Sequence, residues 1–175
     1  PMPRARFHDS FEYYNATWTR DFFEVFKTLR GYELRDHIEL LFGDGDKEMV
    51  ARVKSDYRRT ISDLHVAYIE HWTQWSHRYH SLSRNQAHGA PANLIDLYAA
   101  ADIPETEIFR TVDQRQIPML KFSSSAAHLA GKPYASSESF TWLGEHFQTS
   151  LAEIKAATDL LFLGGVNHLF FHGIP

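Results

Sequence analysis

Three short acidic strings in this chain could do chemistry: Asp9-Ser10-Phe11-Glu12, Asp102-Ile103-Pro104-Glu105-Thr106-Glu107 and Ser136-Ser137-Glu138-Ser139-Phe140-Thr141. Each follows a short extended or apolar stretch, and each precedes a helix-like segment. That rhythm puts carboxylates at the C-terminal ends of different strands of a β/α protein. In a β/α barrel this rim is where catalysis takes place. Two carboxylates brought together from distant strands are also what cleavage of a glycosidic bond requires.

The strings differ in their surroundings. Glu12 is flanked by Phe7, Phe11, Tyr13 and Tyr14. An apolar setting raises the pKa of a carboxyl, as a general acid at neutral pH needs. The plainer alternative is helix capping, with Asp9 or Ser10 opening a turn and Glu12 near the positive helix end. Glu138 stands among Ser136, Ser137, Ser139 and Thr141, whose hydroxyls would keep a carboxylate ionised, as suits a general base. Its alternative is also a cap.

Asp102, Glu105 and Glu107 form a third group, with Pro104 expected to stiffen a turn that holds them in an array. Clustered carboxylates repel unless a cation sits among them, and calcium takes oxygen ligands of this kind. A solvated loop is the alternative, and the spacing does not fit an EF-hand. Asn85, Gln86 and His88 offer donors and acceptors at another strand exit, and His128, Asn167 and His172 are further candidate substrate contacts. No Gly-x-Ser-x-Gly elbow and no His-Glu-x-x-His zinc helix occurs.

The elements that must position these groups are legible in outline. Strands are expected at 4–8, 81–86, 100–103, 133–137 and 166–171. Helices are expected at 19–30, 34–42, 47–78, 93–99, 117–129 and 151–162. The longest helix carries Val50, Val53, Tyr57, Ile61, Leu64, Tyr68, Trp72 and Trp75 at helical spacing. Ser150 with Glu153 makes a capping box before the last helix. Strands alternating with helices imply a parallel sheet. A full barrel takes about 250 residues for eight units, so this chain reads as one partial domain over 1–175, the second half of a (β/α)8 TIM barrel (strands 4–8) with a loop excursion.

Composition supports an ordinary globular domain, with 43% hydrophobic and 23% charged residues. A net charge of −4, with scattered Lys and Arg, argues against nucleic acid as a partner. No apolar run approaches a membrane span, and the absence of cysteine excludes disulfides without deciding the compartment. The opening Pro1-Met2-Pro3-Arg4 has no signal pattern, and both ends read as cuts through a longer protein. Aromatic residues make up 14% of the chain. Most are expected in the core, and some, such as Trp142, could face a sugar ring.

The sequence resembles the catalytic domain of the glycoside hydrolase family 106 α-L-rhamnosidases. The resemblance is carried by His8 to Tyr13, Trp18-Thr19, Phe26 to Tyr32, Arg84-Asn85-Gln86-Ala87-His88-Gly89, Leu94 to Glu107, Ser124 to Lys132, Ser137 to Thr141 and Asp159 to His172. It implies an inverting, exo-acting enzyme that releases L-rhamnose from plant polysaccharides or rhamnosylated glycosides. By that likeness Glu12 is the general acid and Glu138 the general base, and Glu105 or Glu107 supplies an oxygen to a calcium ion that holds sugar hydroxyls. Asp9, Asn85, Gln86, His88, His128, Trp142, Asn167 and His172 are the expected substrate contacts. Glu12 would lie on barrel strand four and Glu138 on strand seven. Family members are much longer, and the resemblance implies a full-length protein that acts outside the cell or in the periplasm. Two other readings stand beside this one. One is a carbohydrate-binding barrel remnant without turnover, and the other is a retaining β-galactosidase-like glycosidase.

Overall fold

The computed structural model describes residues 2–108, 114–144 and 147–172. Strands β1 (Ala5–His8), β2 (Leu82–Gln86), β3 (Ile103–Ile108), β4 (Ser136–Ser139) and β5 (His168–Phe171) form one sheet in sequence order. Every neighbouring pair is parallel. Helices α1 (Phe22–Arg30), α2 (Ile38–Phe42), α3 (Lys47–Arg78), α4 (Leu94–Ala99), α5 (Ile117–Leu129) and α6 (Leu151–Leu163) make the connections. Sequential parallel order with helical crossovers is the pattern of a β/α barrel.

The sheet is curled, and side-chain contacts measure the curl. Strands β2 and β5 are three positions apart in the sheet, about 14 Å if it were flat. Yet the Arg84 guanidinium carbon on β2 lies 3.6 Å from the centre of the Phe170 ring on β5. Side chains from both strands reach over the same hollow, as in part of a barrel.

Alternation along each strand separates two faces. The outer face meets the helices. Ser83 bonds Thr73 of α3 at 2.8 Å, and Arg6 lies over the rings of Trp75 and Tyr79. Ile108 packs with Leu120, Phe140, Ala157, Leu160 and Leu161 in the cluster beneath α5 and α6. The inner face carries Phe7, Arg84, Gln86, Glu105, Glu107, Ser136, Glu138, His168 and Phe170. Most of these side chains are polar, and they line the concave side of the sheet.

The α3 stripe has an explanation in two halves. The first half, with Val53 and Ile61 buried, joins Phe22, Phe26 and Leu34 in a satellite core formed by the excursion between β1 and α3. In the second half Ile69, Thr73 and Ser76 are buried. The larger Tyr68 is 53% exposed, because small side chains are what let α3 lie close on β2. The helix starts at Asp46, whose carboxylate accepts from the Glu48 and Met49 amides. Gly31, with φ at 85°, ends α1 in the left-handed conformation that glycine adopts freely.

Two expected boundaries need correction. The third strand was expected at 100–103, with the acids on a turn beyond it, but β3 runs Ile103–Ile108 and contains Pro104, Glu105 and Glu107. Proline is disfavoured inside a sheet because it lacks a donor; here it is tolerated as the second residue of the strand. Glu138 likewise lies within β4 and not past its end.

The α6 capping box is present as expected, with reciprocal bonds between Ser150 and Glu153. Ser150→Ala should lower unfolding free energy by about 1 kcal/mol. Leu161→Ala, which empties fully buried volume, should lower it by about 2–5 kcal/mol. Urea unfolding of both variants checks this ordering, and equal losses would refute it.

Candidate active site

The centre of the inner face is a buried ion pair. Glu105 is fully buried. Arg84 Nε stands 3.1 Å from Glu105 Oε2, an ion-pair distance without the alignment of a hydrogen bond. The Ser136 hydroxyl donates to the same oxygen at 2.6 Å, and Gln86 Nε2 donates to Oε1 at 3.2 Å. The guanidinium is sandwiched between Phe7, at 4.3 Å, and Phe170, at 3.6 Å. Burial works against both charges. It pushes the Glu105 carboxyl above its ordinary range, against the pull of Ser136, Arg84 and Gln86 and with the help of the nearby Glu138 charge. It also lowers Arg84, against Glu105, Glu138 and Asp9. The guanidinium nonetheless keeps its proton in a protein.

Above this pair, toward the carboxyl ends of the strands, stand Glu107 and Glu138. They are register partners on β3 and β4, and each side chain is 15% exposed. Gln86 Nε2, already bonded to Glu105, donates to Glu138 Oε2 at 2.8 Å. Thr141 donates its hydroxyl to Glu138 Oε1 at 3.0 Å, and His172 Nδ1 lies 3.1 Å from the same oxygen. His88 Nε2 contacts Glu107 Oε2 at 3.1 Å. Charge-assisted contacts of this kind hold a carboxylate in one orientation.

This geometry sorts the candidate residues. Gln86, His88, Glu105, Glu107, Glu138 and His172 come together on one face. Glu12 lies four residues beyond the end of β1, on the same rim, and is exposed. The apolar enclosure expected around it is not formed by its neighbours, for Tyr13 and Tyr14 are 74% and 78% exposed. Asp9 is exposed and accepts a hydrogen bond from the Ser10 amide at 2.8 Å. Asn85 occupies the outer face, opposite Gln86. Trp142 packs beside Phe140, partly buried against the α5–α6 core.

Three of the residues singled out in the sequence lie apart from this group. His128 is exposed at the end of α5, and Asn167 lies just before β5; both are at the amino end of the sheet, away from the acids. Asn167 pins the chain there, accepting from the Ala135 amide and donating to the Pro133 carbonyl. Asp102 also leaves the supposed acidic array. It precedes β3 and is bonded by the Ser83 amide at 2.7 Å and by His77 at 2.8 Å. Of the hydroxyls expected around Glu138, only Thr141 reaches its carboxylate. Ser136 serves Glu105, while Ser137 and Ser139 bond backbone carbonyls.

Arg84 was missed from the sequence. The signal was the strand alternation itself, which sets Arg84 and Gln86 on one face of Leu82–Gln86. The described residues contain no cluster of three or more His, Asp or Glu side chains able to hold a metal. Glu105 is a poor calcium ligand here, because a guanidinium and two further donors already occupy its oxygens. Glu107, nearer the rim, is the better oxygen donor of the two.

A curled parallel sheet with acids along its carboxyl rim has the form of part of a β/α barrel. The model of the α-L-rhamnosidase family, glycoside hydrolase family 106, matches residues 4–174, and the chain belongs to that family. It is similar to a solved rhamnosidase from Novosphingobium sp. PP1Y, with a TM-score of 0.84 and 28% identity, covering 98% of this chain and 17% of that one. It is also 32% identical over 167 residues to a Formosa agariphila protein named as a candidate β-glucuronidase, covering 94% of this chain and 14% of that protein. The chain thus spans less than a fifth of the length of these two relatives. Among the described residues no helix is long and apolar enough to cross a membrane.

Removing Arg84 should expose the cost of burying Glu105. In Arg84→Met the carboxyl loses its counter-charge, so its pKa in the folded state rises further above the ordinary 4.5. A raised folded pKa destabilises the fold only where the unfolded group is ionised. The loss should therefore be small below pH 4.5 and grow to about 3–5 kcal/mol at neutral pH. Denaturant unfolding at pH 4 and pH 7 measures this; a loss independent of pH would contradict it.

Proposed function

We propose that the protein carrying this chain is an inverting exo-α-L-rhamnosidase that releases L-rhamnose from plant polysaccharides or rhamnosylated glycosides. The observation that carries the reading is the set of groups held on the Glu138 carboxylate by Gln86, Thr141 and His172 at the catalytic rim. A carboxylate fixed from three sides keeps one oxygen edge for a water. Glu138 then acts as the general base, taking a proton from water as it attacks the anomeric carbon. Glu12, on the loop after β1 and open to approach from the hollow, donates a proton to the departing glycosidic oxygen. Family membership supports the same assignment. We place β1 at barrel strand four and β4 at strand seven, so the two acids face each other across the hollow. An inverting pair stands roughly 6.5–9.5 Å apart to admit that water, against about 5–5.5 Å for a retaining pair.

Gln86, His88 and His172 are suited to gripping sugar hydroxyls, since each already touches a rim carboxylate. Calcium needs six to eight oxygens, roughly, and flexible geometry. The described side chains supply Glu107 and no cage around it, so any calcium here would draw most of its ligands from sugar hydroxyls and from other parts of the full-length protein. When bound, it would hold the sugar by its hydroxyls; the proton transfers rest on Glu12 and Glu138 alone. A polysaccharide cannot cross a bilayer, which supports action outside the cell or in the periplasm.

In the full-length protein, Glu12→Gln and Glu138→Gln should each lower kcat on an aryl α-L-rhamnoside by about 10²–10⁴-fold. NMR during hydrolysis should show β-L-rhamnose first. Initial α-L-rhamnose would make the enzyme retaining. A Glu107→Gln variant that loses turnover while Glu138→Gln keeps it would move the base to β3.

A further inference from the structure

A second hollow lies on the other side of β2. It has a volume of about 160 Å³ and sits between the carboxyl ends of β1 and β2 and helices α3 and α4. Its walls include the rings of Phe11, Tyr13, His65 and Tyr68, together with Ile69 and Asn85. Most of the lining is apolar, and Tyr13, 74% exposed, stands at the mouth. Phe11 and Tyr13 are the neighbours of Glu12 on either side.

The unusual feature is Asn85. It is 1% exposed, yet neither its amide nitrogen nor its oxygen has a hydrogen-bond partner. His8 lies beside it within hydrogen-bonding reach, and the Asn85 side chain raises the His8 pKa against the larger lowering effect of burial, but no aligned bond joins the two, and one imidazole nitrogen could serve at most one of the two amide atoms. A buried amide without partners costs about 1–3 kcal/mol. Structural packing alone would favour leucine at this position. An amide kept there, facing a hollow, is what a site for a polar group requires.

We infer that this hollow is the leaving-group subsite, shaped for a planar hydroxylated aromatic ring whose hydroxyl is received by the Asn85 amide. The inference rests on the function proposed above, since the general acid must stand beside the departing group and Glu12 is bracketed by two of the pocket's rings. Size agrees, because a cavity of about 150 Å³ accommodates one benzene ring. Chemistry agrees as well. Ring walls bind an aromatic face by offset or edge-on contact, while a sugar would bring more hydroxyls than Asn85 and His8 could serve. Burial holds His65 below its ordinary value, aided by the His8 charge, so its ring enters this wall neutral at neutral pH.

The test uses the full-length protein and two variants, Asn85→Leu, which removes the amide, and His65→Trp, which fills the hollow. The first readout is binding of free 4-nitrophenol by calorimetry, which needs no turnover. We expect at least tenfold weaker binding in both variants, with the melting temperature of Asn85→Leu equal to or above that of the parent. The second readout is the ratio of kcat/KM for an aryl α-L-rhamnoside to that for α-L-rhamnosyl fluoride, whose leaving group fills no pocket. That ratio should fall at least tenfold in both variants. Unchanged phenol binding in both overturns the inference, as does an unchanged ratio. A ratio that falls for disaccharide substrates and not for aryl rhamnosides overturns the aromatic assignment in favour of a sugar. Failure to hydrolyse any rhamnoside, with phenol binding still lost in the variants, would defeat the proposed function and leave the pocket standing as an aromatic site.

Discussion

The Arg84–Glu105 pair is the contact on which the inner face of this sheet depends. It draws one residue from each strand into a single connected group: Phe7 of β1, Arg84 of β2, Glu105 of β3, Ser136 of β4 and Phe170 of β5. Backbone pairing joins each strand only to its neighbours. This group joins strands that are not neighbours, and it does so across the concave side. A buried ion pair is weak evidence for net stability, because desolvation opposes the attraction. Its geometric effect is surer: a guanidinium held between two rings and against a fully buried carboxylate has few alternative positions. The curl of the sheet is therefore tied to a directional contact, where apolar packing would have tolerated several curvatures.

Gln86 carries that order from the ion pair to the rim. Its single amide nitrogen bonds both Glu105 and Glu138. The position of the rim carboxylate is thus referred to the buried one on the neighbouring strand, with Ser136 and Glu138 on the same face of β4. This gives a physical reason for three acids on one inner face without mutual expulsion. Glu105 is neutralised by Arg84, Glu138 is surrounded by donors, and Glu107 lies beside His88. Each acid has its own partner, and a single shared cation is not needed to explain their proximity.

The sequence made the elements readable where local chemistry was strong. The extent of α3 follows from apolar spacing, the start of α5 from Pro118, and the α6 start from the Ser150–Glu153 box. The strands were harder to bound. Ile103-Pro104-Glu105-Thr106-Glu107-Ile108 shows no clean alternation of polar and apolar residues, and Pro104 and the acids suggest a turn. What turns that segment into a strand is a partner for Glu105, and Arg84 lies 21 positions earlier on another strand. Windows of local sequence do not contain that information. The family resemblance was legible from motif blocks such as Arg84 to Gly89, and it named the rim acids. It could not separate faces within those blocks, and so it grouped Asn85 with Gln86 although consecutive strand residues must point apart.

That alternation is the key to how one strand serves two hollows. Gln86 faces the barrel interior and steadies the rim acids, while Asn85 faces α3 and α4 and leaves both amide atoms without partners. The two side chains have similar chemistry and opposite outcomes: one amide is tied to two carboxylates, while the other has only His8 beside it and no aligned bond. A protein gains no stability from the second arrangement. Loop 9–14 folds over the same strand end, where the Phe11 amide reaches the His88 carbonyl at 3.4 Å, and a side chain at Gly89 would crowd the Phe11 carbonyl. Glu12 is thereby carried on a segment anchored at the junction between the two hollows. An acid placed at that junction can serve a bond that joins a sugar on one side to its leaving group on the other.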